Sequence, residues 1–143
     1  MSHSHAAQFQ TAAIAKDFIL AGRARVTLVS LKTGTRFTFR VAQKDETSPH
    51  FVALLSGPDN ESSYTFLGTI FKGTTYRHGR RSSVSESAPS AKAFAWAWSY
   101  IVRGEMPPSC EVYHEGRCGR CGRTLTVPSS LDIGLGPECA TRQ

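Results

Sequence analysis

The chain has 143 residues, 40% of them hydrophobic, with 17 basic and 11 acidic side chains and a net charge of +6. That length supports one core but not two, no window approaches the ~18 consecutive apolar residues of a membrane helix, and no secretory leader pattern opens the chain, so a soluble, cytoplasmic protein is expected. Arginine outnumbers lysine by 12 to 5, a bias toward bidentate contacts with phosphate or carboxylate, which points to nucleic acid or an acidic protein surface as partner.

In chain order, residues 1–22 form an N-terminal segment. His3 and His5 sit at its frayed start, and a short helix over 11–20 follows, carrying Ile14, Phe18 and Ile19 and stopping at Gly22. Residues 24–31 and 36–41 alternate apolar and polar side chains around a turn at Gly34 and predict a β-hairpin. On its second strand Phe37, Phe39 and Val41 share one face; Arg36, Thr38 and Arg40 share the other, which Arg25 extends.

Residues 51–55 and 64–71 read as a second strand pair around a turn at 56–60. The stretch 72–90 lacks an apolar period and reads as a mobile, basic, Ser-rich loop carrying Arg77, Arg80 and Arg81, with His50 and His78 as loop residues. Both periods fit 91–102, but four alanines, a Pro-Ser entry and an Arg-Gly exit favour a helix burying Phe94, Ala97, Trp98, Ile101 and Val102. Trp96, Tyr100 and Arg103 then lie on its far side, expected beneath the C-terminal segment. The expected fold is α+β: an antiparallel four-stranded sheet of two hairpins packed by one main helix, body 23–106, followed by a zinc knuckle over 107–143.

All four cysteines fall in the last quarter, a clustering that suits a local metal site better than a disulfide framework. The pattern is His114-x3-Cys118-x2-Cys121-x17-Cys139. A two-residue spacer lets one tight turn direct both thiolates to one metal, and Gly119 and Gly122 ease that turn, while Gly134, Gly136 and Pro137 shape the approach to Cys139. His114 and Cys110 are both candidates for the fourth ligand, His114 being preferred because Cys110 lies further out beside two prolines. Four soft ligands make a closed, structural Zn2+ site rather than a catalytic one. Arg117, Arg120 and Arg123 either shield the thiolate charge or meet phosphate. The chain does not carry the H-x-E and distant P-C-x-x-C of nucleobase deaminases.

The segment from His114 to Cys139, with its Cys121-Gly-Arg and Gly-Leu-Gly-Pro-Glu-Cys139 runs, resembles a zinc-binding family of unassigned function found in bacteriophage and actinobacterial proteins. Residues 27–41 and 64–70 resemble it less specifically. Val127 stands where that family has an acidic residue, a position that is not a ligand. The resemblance implies zinc, this fold and a mobile-element origin.

Two functions are expected from the residues. In the first, Arg25, Arg36 and Arg40 on the sheet, Arg77, Arg80 and Arg81 in the loop, and Arg117, Arg120 and Arg123 on the knuckle form a phosphate footprint for DNA or RNA. The exposed strand face lacks paired aromatics on this reading, because Phe37 and Phe39 point inward and Tyr76 is the loop's one aromatic, so base reading is not expected. In the second, the protein inhibits or modulates a host enzyme or defence complex through protein contacts alone. No Ser/His/Asp or Cys/His set, phosphate loop or carboxylate pair marks an enzyme, and no small-molecule substrate is implied.

Overall fold

The computed structural model describes residues 7–9, 11–56 and 64–114. Its elements are β1 (Ala7–Gln8), α1 (Ala12–Ile19), β2 (Arg23–Ser30), β3 (Arg36–Gln43), β4 (His50–Leu55), β5 (Tyr64–Phe71), β6 (Thr75–His78), α2 (Pro89–Ile101) and β7 (Cys110–His114).

Local chemistry sets each boundary. The Thr11 hydroxyl accepts the Ile14 N–H at 3.3 Å and caps α1. At the other end His50 donates through Nε2 to the Leu20 carbonyl at 2.9 Å, taking up an orphan acceptor. Between β2 and β3, Gly34 adopts φ +75°, a left-handed turn conformation that suits glycine. The hairpin register places Thr27 opposite Thr38, whose hydroxyls bond at 2.8 Å. Pro89 fits the first turn of α2, where a missing N–H costs nothing, and Gly104 at φ +84° closes its exit.

The sheet is antiparallel throughout, in the order β1-β7-β2-β3-β4-β5-β6. It is therefore wider than the expected four strands. β2 to β5 form the two hairpins read from sequence, β6 extends them on one side, and β7 inserts between β1 and β2 on the other. β7 lies within the segment assigned by sequence to the zinc knuckle, and it is an inner strand of the sheet.

Both helices cover one face of the sheet. Phe18 and Ile19 of α1 and Phe94, Ala97, Trp98 and Ile101 of α2 meet Val26, Phe39, Val41, Val52, Ile70 and Val112 in one core. α1 thus shares the packing role expected of a single helix. Trp98 also donates through Nε1 to the Thr74 carbonyl at 2.9 Å, fastening the β5–β6 turn to α2.

The segment 72–90 is not the mobile loop expected. It contains β6, and the chain after β6 is tied back: His78 donates through Nε2 to the Val84 carbonyl at 2.8 Å, and the Ser82 hydroxyl donates to the Phe66 carbonyl at 2.7 Å. Serine side chains there supply the pairing that an apolar period would otherwise advertise. His50 and His78 are strand residues, at the start of β4 and the end of β6.

Candidate nucleic-acid interface

Strand alternation gives the sheet a second face, and no described helix covers it. Arg25 and Arg40 stand opposite one another there, and Arg36 opposite Val29 lies further along the hairpin. One row across the strands runs Arg25, Arg40, Ala53, Phe66; the next runs Arg23, Ala42, Phe51, Thr69, Arg77. Arg40 and Arg77 are three strands apart, roughly 14 Å at the spacing of neighbouring strands.

Two phenylalanines lie between them. Phe51 is 46% exposed and Phe66 37%, and their rings meet edge to face with centroids 6.3 Å apart. The Arg40 guanidinium lies over the Tyr64 ring, 4.6 Å from its centroid, a cation–π contact that orients it across the same face. The expectation of an open face without paired aromatics is thereby corrected. Tyr76 is likewise no loop aromatic: it belongs to β6 and turns inward onto Phe94, with centroids 5.0 Å apart.

The correction has a structural cause in β5. Val52 pairs with Gly68 and Ala53 with Phe66, so Leu67 is an extra residue that breaks the register. Simple alternation would place Phe66 on the same face as Ile70, which is buried. The bulge reverses the parity, burying Leu67 and turning Phe66 outward. Gly79 makes room for it: a Cβ at that position would collide with the Phe66 ring. Phe51 needed no such device, since it alternates with buried His50 and Val52.

The remaining arginines divide. Arg77 shares the open face opposite Thr69 and, with Arg80 and Arg81 that follow β6, also lines a groove beside α2 together with Lys92 and Trp96. Arg117, Arg120 and Arg123 lie outside the described residues, as do Cys118, Cys121 and Cys139, His3 and His5, and residues 57–60 of the expected turn.

Of the two candidate fourth ligands, both are described. His114 ends β7 on the inner face, 1% exposed, with its ring 5.2 Å from that of Phe9 and 5.5 Å from that of Phe18. Cys110 begins the same strand on the same face, roughly 13 Å away by the rise of four strand residues. It is half-buried, and burial pushes its thiol pKa up. Nearby, the Glu111 carboxylate accepts the Tyr113 hydroxyl at 2.7 Å, which raises the Tyr113 pKa.

Trp96 was expected under the C-terminal segment. It is 41% exposed, edge to face with Tyr100 at 5.3 Å, and the Arg103 guanidinium caps Tyr100 at 4.9 Å. No described helix is long and apolar enough to cross a membrane.

A family of unknown function (DUF6011) matches residues 108–143, a span that takes in β7 and everything after it. No curated protein and no solved structure matches the chain.

Proposed function

We propose that the open face of the sheet binds single-stranded nucleic acid, with little sequence preference. The supporting observation is the exposed Phe51–Phe66 pair set between Arg40 and Arg77 on one surface. Bases stack on flat aromatic rings whatever their identity, at about 1–3 kcal/mol per base. Arginines spaced around the rings meet successive phosphates. A duplex buries its base faces in its own stack, so a flat aromatic surface selects the unpaired strand. Arg25 and Arg36 extend the cationic area along the hairpin.

The test is anisotropy of a labelled oligothymidylate of about 16 nucleotides, its RNA equivalent and a duplex, all at low salt. Binding of the single strands that collapses in Phe51→Ala/Phe66→Ala, with the melting temperature retained, supports the reading. No shift with any of the three at micromolar protein sinks it.

In this proposal the C-terminal segment is a zinc staple. Cys118, Cys121 and Cys139 hold the ion, with His114 as fourth ligand, and zinc supplies cross-linking rather than chemistry. His114 is preferred to Cys110 because it ends β7 and is the nearer of the two along the chain to Cys118; strand geometry keeps the two too far apart to share one ion. Because β7 is hydrogen-bonded on both sides, Cys118→Ser or Cys139→Ser should release the metal while the sheet stays folded. Elemental analysis finding one zinc per chain supports the staple; finding none removes it.

A further inference from the structure

β6 is the last strand in the sheet order, so one of its edges has no neighbouring strand among the described residues. Gly79 N–H donates to the Leu67 carbonyl at 2.9 Å, which fixes the phase of the β5–β6 ladder. In an antiparallel pair successive residues turn their main-chain groups alternately toward and away from the partner. Thr75 and Arg77 therefore face β5, and Tyr76 and His78 direct their N–H and C=O groups to the open edge.

That edge borders a groove of about 1400 Å³ whose other wall is the first half of α2. Trp96, 41% exposed, and Phe71, 42% exposed, give it apolar surface. Arg77, Arg80, Arg81 and Lys92 line it against a single carboxylate, Glu86. None of these four cations makes an ion pair among the described residues.

We propose that an extended acidic peptide segment of a partner protein adds to β6 as a further strand of the sheet. Three features select this occupant. An open strand edge offers donors and acceptors in alternation, which another polypeptide main chain matches; a nucleic-acid backbone offers acceptors alone at that spacing. The surplus of cations favours carboxylates, and it disfavours a second copy of this chain, whose β6 would bring the same arginines into opposition. Side chains of an added strand alternate between the two sides of the sheet. Acidic residues on one side reach Arg77, and apolar residues on the other lie against Trp96, so the preferred sequence alternates acidic and apolar residues. The groove adjoins the nucleic-acid platform, sharing Phe66 and Arg77 with it, but the main-chain edge of β6 is a different surface from the Phe51 ring.

The probe is a fluorescein-labelled peptide of alternating Glu and Val, about six residues long, the length of an ordinary strand, titrated against the full-length protein. Saturable binding is expected, with slowed amide exchange at Tyr76 and His78. Methylation of the alternate peptide nitrogens should weaken binding about tenfold through lost main-chain bonds. Arg80→Glu with Lys92→Glu should weaken it at least as much, without lowering the melting temperature. Phe51→Ala, whose ring does not line the groove, should weaken oligothymidylate binding and leave peptide binding unchanged, which separates failure of this site from failure of the nucleic-acid reading. The proposal is overturned by absence of saturable binding up to about millimolar protein, by equal binding of the N-methylated peptide, or by a β6-mediated dimer that excludes it.

Discussion

The two faces of the sheet come from alternate residues of the same strands, and the contrast between Phe39 and Phe66 shows what separates them. Phe39 is fully buried, its ring 5.0 Å from that of Phe94 on α2; Phe66 is held in water beside Phe51, with arginines around it. Burying a phenylalanine stabilises a protein by about 1.5–3 kcal/mol, and Phe66, 37% exposed, forgoes a part of that. The β5 bulge turns it outward when a regular strand would have turned it in. An apolar ring isolated on a surface means little, but two in contact between guanidinium groups form a surface suited to a planar, anionic partner.

The largest test of this contrast is Phe39→Ala, expected to cost about 3–5 kcal/mol. Against a typical total of about 5–15 kcal/mol this should appear as a large drop in melting temperature, with binding lost only because the fold is lost. Phe51→Ala and Phe66→Ala should do the reverse. Each is expected to lower oligothymidylate affinity by about 1–3 kcal/mol while moving stability by less than about 1 kcal/mol; a melting drop matching that of Phe39→Ala would erase the distinction between the faces.

A finer test replaces Arg25, Arg36 and Arg40 together with Gln. The slope of log affinity against log salt should become shallower by about 0.7 for each phosphate contact removed, about 2 in all, and an unchanged slope would move the phosphates elsewhere. The smallest effect belongs to Tyr76, on the inner side of β6. Its hydroxyl is buried with no hydrogen-bond partner, and burial, with a lesser contribution from Glu86, raises its pKa from 10.0 to about 12. Because the folded-state pKa lies above the unfolded one, Tyr76 contributes stability that is complete below pH 10 and lost progressively as pH rises from 10 to about 12. Tyr76→Phe should remove that alkaline component and leave neutral-pH stability unchanged or higher by about 1 kcal/mol, as urea titrations at pH 7 and pH 11 would measure.

What was legible in the sequence followed periodicity. The β2–β3 hairpin shows itself because Phe37, Phe39 and Val41 alternate with Arg36, Thr38 and Arg40 around a glycine turn; in α2 both periods fit, and its four alanines with a Pro-Ser entry and Arg-Gly exit decide for helix. β6 was hidden because Thr75–His78 is a short edge strand with Tyr76 as its one apolar residue. The place of β7 was hidden because pairing between Val26 and His114 is set by packing across the whole chain rather than by local pattern. The cationic half of the candidate site was legible in Arg25, Arg36 and Arg40. Its aromatic half was not, since one unpaired residue at Leu67 reverses the meaning of alternation in β5.

The position of β7 also orders events during synthesis. β2 emerges from the ribosome well before its neighbour on one side, Cys110–His114, and β1 joins the sheet through that later strand. Until then β2 presents an open edge, and Phe9 and Phe18 lack the His114 ring that completes their cluster. The nascent chain therefore passes through a long interval with a sticky margin and completes this side of its sheet only once Cys110–His114 has emerged. A product terminated before Cys110 would carry that margin permanently, marking it for chaperones or proteases rather than leaving it a smaller working protein.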